Sequence, residues 1–360
     1  MVRNDITYHI VGGGLAGLSC AYFLKEKHKN IKVVVYEASP YLGGRSYSQF
    51  DEKFDTQLDN AMHLILGSDK FMSQFVKDDE WSYQTCCYNI NDGNAKFTVS
   101  KNKELLMQTL LGDGYKDIAL PIRKRAILNS FPFTKNKCRF WFSNQNFSQR
   151  VVNLLSAYAD EVHLNYKLQK ILSQFGIAAQ LQFTKDTVDI GANDKVILAL
   201  DNASCSKLVD VQKLEHEQII NIMYHTSQTI FLPKGVSFMR IEGGLADAIN
   251  VKDNILTAII NKSVSDKENL ANLAAKVWTD LDKIRGVNSA FIPPYKAILC
   301  KHAIIRHDAK NNDNRPDDAL TNYPNVFIAG DWTMKNHLCC METAVKSADR
   351  AIKTALKSAL

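Results

Sequence analysis

The most informative pattern of apolar and polar positions lies at the start of the chain. Ile6–Val11 is a run of strand-forming residues, and a glycine-rich turn, Gly12–Gly17, follows it directly. The apolar positions of Leu18–Glu26 then recur at helical spacing. A second apolar run, Ile31–Tyr36, has the length and composition of a strand. The pattern therefore predicts a strand, a glycine turn, a helix and a second strand, which together form a βαβ unit.

The residue types in the glycine turn indicate a dinucleotide. Gly12 permits the tight turn off the strand, Gly14 lets the backbone approach a pyrophosphate, and Gly17 lets the helix pack closely on the sheet. Leu15 and Ala16 open the helix, whose free N–H groups favour phosphates. The alternative is a glycine turn without a ligand, and the complete βαβ context favours dinucleotide binding.

A carboxylate and a second glycine pair follow the second strand. Glu37 is placed to accept hydrogen bonds from ribose hydroxyls and to repel a 2′-phosphate, and Ala38 comes next. Gly43, Gly44 and Arg45 then predict a further loop that faces the cofactor, with the arginine over the pyrophosphate or against a flavin edge. The alternative is an ordinary turn with a solvated arginine.

The C-terminal region repeats the combination of a strand end and a helix start. Asn325–Ala329 predicts a strand, Gly330 and Asp331 follow it, and a helix is predicted from about Met341. A helix N-terminus beside a carboxylate suits the pyrophosphate and ribityl portions of FAD. Combined with the N-terminal unit, this arrangement favours FAD over NAD.

Composition, charge and residue spacing argue against several classes of protein. The 360 residues are 46% hydrophobic and 23% charged, and a net charge of +6 is too small and dispersed for a nucleic-acid-binding protein. No apolar run reaches the roughly 18–20 residues of a membrane-spanning helix. The eight cysteines and nine histidines show no metal-binding spacing, and we expect no metal. The cysteines are interpreted as reduced thiols of a cytoplasmic protein.

Three segments resemble the FAD-dependent amine-oxidase/phytoene-desaturase superfamily: Val11–Leu18, Glu37–Arg45 and Val326–Thr333. Asp59–Gly67 is similar to the D-N-G-Q-H-L-x-L-G segment of its squalene-associated branch, the hydroxysqualene dehydroxylases. The resemblance implies an FAD-dependent oxidoreductase that acts on an apolar isoprenoid, with hydride transfer to or from flavin N5.

The resemblance also assigns residues, and the chain departs from it at two of them. Asn60 and Ala61 are expected beside the cofactor, and Leu168 stands where the backbone of such proteins meets the adenine. Ala61 replaces the glycine of the branch, and Met62 replaces its glutamine. These replacements leave open a flavin-binding protein without turnover, and an FAD-dependent oxidase of amines or other small molecules is the further alternative.

The expected fold class is α/β with α+β insertions. A discontinuous Rossmann-like FAD-binding domain is predicted from residues 1–68, 149–205 and 297–360. A smaller substrate-binding domain of mixed sheet and helices is predicted from residues 69–148 and 206–296.

The candidate chemistry outside the cofactor site centres on one histidine. His63 is the catalytic candidate, because an imidazole with a pKa near neutrality can protonate a leaving hydroxyl; the alternative is a structural histidine. Five aromatic residues are candidates for an apolar substrate tunnel or for ordinary core: Phe131, Phe133, Phe140, Trp141 and Phe142.

Partners are predicted only by class. We expect an apolar small-molecule substrate and no nucleic acid. Arg123–Arg125 lies among apolar residues and indicates either a solvated basic face or a peripheral contact with an anionic membrane at its inner face. The sequence does not identify an electron donor or acceptor.

Overall fold

The computed structural model describes residues 6–82, 84–99, 114–128, 139–143, 146–226, 232, 238–252, 254–261, 269–289 and 291–358. The chain divides into two compact units. The first unit consists of Met1–Tyr47, Ser148–Glu215 and His307–Leu360, and the second of Ser48–Phe147 and His216–Arg306.

Strands and helices are numbered here in chain order. The strands are β1 (Thr7–Val11), β2 (Lys32–Glu37), β3 (Ser48–Asp51), β4 (Thr56–Asp59), β5 (His63–Leu66), β6 (Gln84–Asn89), β7 (Asn94–Val99), β8 (Phe140–Ser143), β9 (Glu161–Leu164), β10 (Leu168–Gln174), β11 (Ile177–Phe183), β12 (Thr187–Asp189), β13 (Lys195–Leu198), β14 (His216–His225), β15 (Phe238–Glu242), β16 (Ala248–Lys252), β17 (Ile255–Ile260), β18 (Tyr295–Ile305) and β19 (Val326–Ile328). The helices are α1 (Leu15–Lys27), α2 (Gly114–Asp117), α3 (Leu120–Leu128), α4 (Phe147–Ser156), α5 (Asn202–Cys205), α6 (Leu270–Arg285), α7 (Ala309–Asp313) and α8 (Met341–Lys357).

The first unit is built on a parallel sheet in the order β19-β13-β1-β2-β9. Strands β1, β13 and β19 consist almost entirely of buried residues, which is typical of parallel strands covered on both faces. Helices α1 and α8 pack against each other. An antiparallel sheet of β10, β11 and β12 completes this unit. The predicted α/β, Rossmann-like architecture is confirmed.

The second unit is built on a mixed sheet in the order β18-β14-β17-β16-β15-β6-β7. Its ladders are antiparallel except between β15 and β6. One face packs on α6: alternate strand residues such as Ile222 and Leu256 belong to the same buried cluster as Val277 and Trp278 of the helix. The pairs β3–β4 and β5–β8 form two smaller sheets.

Helix α6 is described from Leu270 onwards. The acidic residues at 266 and 268 predict a start at Ser265, but residues 262–268 lie outside the described part of the chain. The described helix begins after Asn269, whose side chain accepts a hydrogen bond from the Ala271 N–H at 2.8 Å. It ends at Gly286, which adopts a φ of +66°.

The two units differ from the predicted domains at three stretches and at the single residue Ser148, which belongs to the first unit. Residues 48–68 belong to the second unit, where β3 pairs with β4 and β5 pairs with β8. Residues 297–306 also belong there, because β18 pairs with β14. Residues 206–215 belong to the first unit, and Asn311 of that unit donates to the Glu215 carbonyl at 3.0 Å. The second unit contains more residues than the first, whereas the sequence predicted a smaller domain.

Within the described residues, every helix is too short or too polar to cross a membrane.

Candidate functional site

The glycine turn of the first unit is formed by backbone contacts that side chains would block. A Cβ at Gly17 would overlap the carbonyl oxygen of Gly12, and a Cβ at Gly12 would overlap that of Ala199. Gly12 also has a φ of +110°, a conformation that L-residues rarely adopt. The turn therefore requires glycine at these two positions for folding alone.

Gly14 differs from its neighbours because the space above it is open. A Cβ at Gly14 would meet Gly43 O and Gly44 Cα at 3.8 Å, which is ordinary contact. Its φ of −78° and ψ of −179° suit any residue. The fold itself thus does not need glycine here, which fits a position kept bare for a ligand that approaches the backbone.

The start of α1 presents donors next to that open space. Gly14 is its N-cap and supplies no side-chain hydrogen bond, and the first turn contains no acidic residue. Leu15 and Ala16 are the first helical residues, and the N–H groups of a first turn have no partner within the helix. Free N–H groups at a helix N-terminus bind phosphate well, so the residues present fit a pyrophosphate.

A second loop closes on this turn. The Gly43 N–H donates to the Gly13 carbonyl at 2.8 Å, and Gly43 and Gly44 both have positive φ. A Cβ at Gly44 would lie 3.2 Å from Gly14 Cα. The two glycine loops predicted from separate motifs are therefore in direct backbone contact.

Glu37 is buried at the end of β2 and is held by the backbone. Its carboxylate accepts the Gly13 N–H at 2.7 Å and the Ser39 N–H at 2.8 Å. A carboxylate has about four acceptor positions, so two remain for hydroxyl donors such as those of a ribose. Ala38, the next residue, is exposed.

Leu168 lies in a segment that runs beside Glu37. The Tyr166 N–H donates to the Glu37 carbonyl at 2.7 Å, and the Asn165 N–H donates to the Ser39 carbonyl at 3.1 Å. Leu168 follows two residues later as the buried first residue of β10. The fold brings this residue to the strand end that carries the predicted ribose-binding carboxylate.

The predicted C-terminal cofactor residues meet the second loop. Arg45 Nη2 donates to Asp331 Oδ1 at 2.6 Å, and this neighbouring carboxylate raises the pKa of the guanidinium. Asp331 is buried and also accepts the Trp332 N–H at 2.9 Å. Gly330 has a φ of +146°, and its N–H donates to Ser347 of α8.

Helix α8 begins at Met341 after a cap that supplies no side-chain hydrogen bond. Its N-cap is Cys340, and the first turn contains the buried Glu342, whose carboxylate lies 3.6 Å from Lys346 Nζ. The first unit thus holds two uncapped helix starts, at Gly14 and at Cys340, together with Glu37 and the Arg45–Asp331 pair.

A group of residues near Asp331 has no signal in the sequence motifs. His307 Nε2 accepts the Cys339 N–H at 2.8 Å, which leaves the ring proton on Nδ1 when the ring is neutral. Burial lowers the pKa of His307 to about 4, and the Arg315 guanidinium acts in the same direction. Arg315 is buried and donates to the Met334 and His337 carbonyls. These residues shape the loop that leads into α8.

Asn60 and Ala61, which the resemblance placed beside the cofactor, belong to the second unit, as does the catalytic candidate His63. His63 is the half-buried first residue of β5. Burial lowers its pKa below 6.5, and the charge of Asp59 opposes that shift. Asp59 is fully buried and accepts a hydrogen bond from Ser48 Oγ at 2.6 Å. The catalytic candidate therefore has a carboxylate neighbour four residues earlier in the chain.

The structure shows the packing of three of the five aromatic residues proposed for a substrate tunnel or for ordinary core. Phe131 and Phe133 lie outside the described residues. Phe140 packs edge-on against Phe142, and Trp141 packs against Phe147, which favours the core interpretation for these two. Phe142 stacks on Phe238 of the seven-stranded sheet with ring centroids 4.7 Å apart.

Two family models match parts of the chain. Residues 10–78 match the NAD(P)-binding Rossmann-like domain. This stretch of the chain contains the glycine turn, Glu37 and His63. Residues 272–353 match the flavin containing amine oxidoreductase family. This stretch of the chain contains Asp331 and the start of α8.

Curated relatives align over nearly the whole chain. A hydroxysqualene dehydroxylase from Zymomonas mobilis is 25% identical over 97% of this chain and 98% of its own length. A hydroxysqualene dehydroxylase from Sinorhizobium fredii is 23% identical over 97% of this chain and 98% of its length. A third, from Rhodopseudomonas palustris, is 22% identical over 96% of this chain and 97% of its length.

Solved structures share the fold at lower identity. An oxidoreductase from Methanosarcina mazei superposes with a TM-score of 0.68 at 15% identity, covering 98% of this chain and all of the other. Putrescine oxidase bound to putrescine superposes with a TM-score of 0.63 at 12% identity, covering 98% and 99%.

Proposed function

Since the chain is an FAD-dependent oxidoreductase of the flavin-containing amine-oxidase superfamily, we propose that it removes the hydroxyl group of an apolar isoprenoid alcohol. The observation that carries this proposal is the alignment of three hydroxysqualene dehydroxylases over 96–97% of the chain. The sequence predictions of the superfamily, of FAD and of enzymatic activity are confirmed. The substrate is the part that we propose.

The residues of the first unit provide a place for each part of FAD. The first turn of α1, above Gly14, would hold the pyrophosphate, and Glu37 would accept hydrogen bonds from the ribose hydroxyls. The backbone around Leu168 would lie beside the adenine. The Arg45–Asp331 pair and the start of α8 would bind the ribityl and ring portions.

The proposed reaction exchanges a carbon–oxygen bond for a carbon–hydrogen bond. Reduced FAD, when bound, supplies the hydride that forms the new bond at the carbon that loses the hydroxyl. The departing hydroxide takes a proton and leaves as water. An acid at the hydroxyl oxygen lowers the barrier to this departure.

We assign that proton to His63. Its imidazolium form donates, and the buried Asp59 carboxylate favours this charged form against the effect of burial. The proposed step is therefore faster at low pH, where more His63 is protonated. A neutral leaving group, water, needs no further base.

Anaerobic turnover tests the proposal directly. The purified holoenzyme is photoreduced, mixed with hydroxysqualene, and followed by the return of oxidised flavin absorbance. We expect reoxidation with formation of one squalene per flavin, measured by gas chromatography and mass spectrometry. Absence of both reoxidation and squalene would overturn the assignment of substrate.

The same preparation discriminates between the remaining alternatives. An amine oxidase transfers electrons from substrate to flavin, so putrescine or another amine would bleach the oxidised flavin under anaerobic conditions. A flavin-binding protein without turnover would respond to neither the alcohol nor the amines. The proposed dehydroxylase responds only to the alcohol, and only after reduction.

A further inference from the structure

The seven-stranded sheet has two faces of different chemistry. Ile220, Ile222 and Tyr224 of β14 point towards α6 and its core. Because side chains alternate along a strand, Asn221 and Met223 point to the opposite face. The β17 residue directly opposite Met223 is Thr257, which shares that face.

Asn221 and Thr257 are buried polar residues whose side chains have no hydrogen-bond partner in the described part of the chain. Each is 1% exposed. Among the described residues, Asn221 Oδ1, Asn221 Nδ2 and Thr257 Oγ1 make no hydrogen bond. Their positions are diagonal neighbours across adjacent strands, since Asn221 pairs with Ile259 and Thr257 with Met223. Such diagonal Cβ atoms lie about 7 Å apart.

This burial is costly unless something else supplies hydrogen bonds. Most buried side-chain polar atoms in proteins have a partner, and each exception needs a reason. The two side chains together offer amide donors, an amide acceptor and a hydroxyl, and they carry no charge. That set matches a neutral hydrogen-bonding group, such as an alcohol, on a ligand that is otherwise apolar.

The pair lies beside apolar side chains and one further buried polar residue, Asn250. Met223, between them on the sheet face, packs in a cluster with Phe54, Leu58 and Ile255. Across the sheet, Thr257 lies opposite Asn250, and Asn250 lies opposite Phe238.

Two contacts connect this face to the segment that carries the proton donor. Leu58, which packs on Met223, directly precedes Asp59. Phe142, which stacks on Phe238, pairs through its backbone with Leu64, the residue after His63. The Asp59–His63 segment is thus held on both sides by residues that pack on the face containing Asn221 and Thr257.

We propose that Asn221 and Thr257 form the subsite that binds the hydroxyl group of the substrate, an inference that rests on the proposed reductive dehydroxylation. An Asn221 N–H donates to the hydroxyl oxygen, and Thr257 Oγ1 completes its hydrogen bonding. The pair acts as a specificity determinant, because a hydrocarbon of the same skeleton leaves both side chains without partners.

Binding of an alcohol and its matching hydrocarbon tests the subsite without turnover. Hydroxysqualene and squalene are titrated into the oxidised holoenzyme, and the shift of the flavin spectrum reports binding. We expect the wild type to bind the alcohol at least tenfold more tightly. Asn221→Leu and Thr257→Val should each remove most of this preference while squalene binding persists. Equal preference in wild type and both variants would overturn the subsite.

A thermal measurement shows whether Asn221 has a purely structural role. Asn221→Leu removes polar atoms without partners, so we expect its melting temperature to equal or exceed that of the wild type. Asn325 is the matched control, since its side chain bonds both the N–H and the carbonyl of Ala178. Asn325→Leu should lower the melting temperature. A similar loss in Asn221→Leu, with the alcohol preference unchanged, would mean that Asn221 only supports the fold.

The two proposals fail in different ways. Preferential alcohol binding that depends on Asn221, without squalene formation, would overturn the proposed reaction and leave the subsite intact. Squalene formation with unchanged kcat/KM in both Asn221→Leu and Thr257→Val would overturn the subsite and leave the reaction intact.

Discussion

Glu37 and Asp59 are buried carboxylates that end strands in different units, and they are held in different ways. Glu37 accepts hydrogen bonds from two backbone N–H groups, those of Gly13 and Ser39. Asp59 accepts a hydrogen bond from the side chain of Ser48, and its charge acts on the pKa of His63. The first carboxylate is fixed by the course of the main chain, and the second belongs to a set of interacting side chains.

The same difference separates two histidines. His307 of the first unit accepts a backbone N–H from Cys339, whereas His63 of the second unit responds to the carboxylate of Asp59. Backbone partners hold a group in one position. Side-chain partners allow a proton to be exchanged. The first arrangement suits cofactor binding, and the second suits acid–base chemistry.

Replacing Gly14 and Gly17 tests how far the cofactor cradle, the glycine turn with Glu37 and the Gly43–Arg45 loop, depends on the main chain. We expect these replacements to have the largest effects on stability and FAD binding. Gly17→Ala should destabilise the protein by about 3 kcal/mol or more, because the Cβ would overlap the Gly12 carbonyl. Gly14→Ala should fold normally, because its Cβ meets only contacts at 3.8 Å, yet lose bound FAD. Melting curves and the flavin released on denaturation measure the two effects. A Gly14→Ala protein that retains full FAD would show that the cofactor does not approach this backbone.

The pH dependence of stability tests the backbone-held histidine. The pKa of His307 lies near 4 in the folded state and near 6.5 when unfolded, so the unfolded state binds the proton first. Stability should therefore fall as pH drops from about 6.5 to 4, by at most about 3 kcal/mol. His307→Gln keeps an acceptor for the Cys339 N–H and cannot titrate in this range. Urea unfolding at several pH values should show a flatter profile for that variant; parallel profiles would reject this assignment.

Replacing His63, the proposed proton donor, tests the side-chain arrangement. His63→Ala should retain FAD with a normal spectrum and slow flavin reoxidation by hydroxysqualene about 10²-fold. In the wild type the rate should fall as pH rises through the pKa of His63, since only the imidazolium donates. His28, which is exposed on the first unit, provides the control, and His28→Ala should reoxidise at the wild-type rate. An unaltered rate in His63→Ala would make His63 structural.

Truncating Glu37 tests the cradle at a single residue. Glu37→Ala should weaken FAD binding by about 1–3 kcal/mol, the scale for hydrogen bonds to a charged group. Glu26→Ala removes an exposed carboxylate on α1 and should leave the affinity unchanged. Affinities come from flavin fluorescence during titration of the apoprotein. Equal affinities in the two variants would place the ribose elsewhere.

Neutralising Asp59 should have the smallest effect and is the most specific test of the comparison. Asp59→Asn keeps an acceptor for Ser48 and removes the charge that raises the pKa of His63. The pH profile of flavin reoxidation should shift to lower pH, with FAD affinity unchanged. Glu37→Gln should do the reverse, weakening FAD without moving the profile. If the pH profile of Asp59→Asn matches that of the wild type, the charge of Asp59 does not influence the proton transfer from His63.

The strand, glycine turn and helix of the candidate cofactor site were predictable from the sequence because their determinants are local. The strand, turn and helix around Gly12–Gly17 lie within one short stretch, and glycine spacing reports backbone geometry directly. The second unit depends on pairings between distant residues, such as the parallel ladder of β6 with β15. The sequence of β6 does not indicate that it pairs with β15, and the sequence of β15 does not indicate that it pairs with β6.

Some missed residues did leave a sequence signal. Asn221 is the one polar residue in the run Ile219–Met223, and a polar residue in an apolar strand indicates a buried hydrogen-bonding group. Its lack of a partner depends on what packs across the sheet, which requires the fold. His307 and Arg315 gave no such signal, because their partners are backbone groups far along the chain.

The strand order β19-β13-β1-β2-β9 has a consequence for biosynthesis. Strand β1 is central, yet its neighbour β13 and the next strand, β19, are translated long after it. At about 5–20 residues per second, roughly 15–60 seconds separate β1 from β19. The Arg45–Asp331 pair likewise joins an early loop to a late one. The nascent chain therefore completes this sheet only after β19 has been translated, and until β13 has been made the backbone N–H and C=O groups along one edge of β1 lack their strand partner.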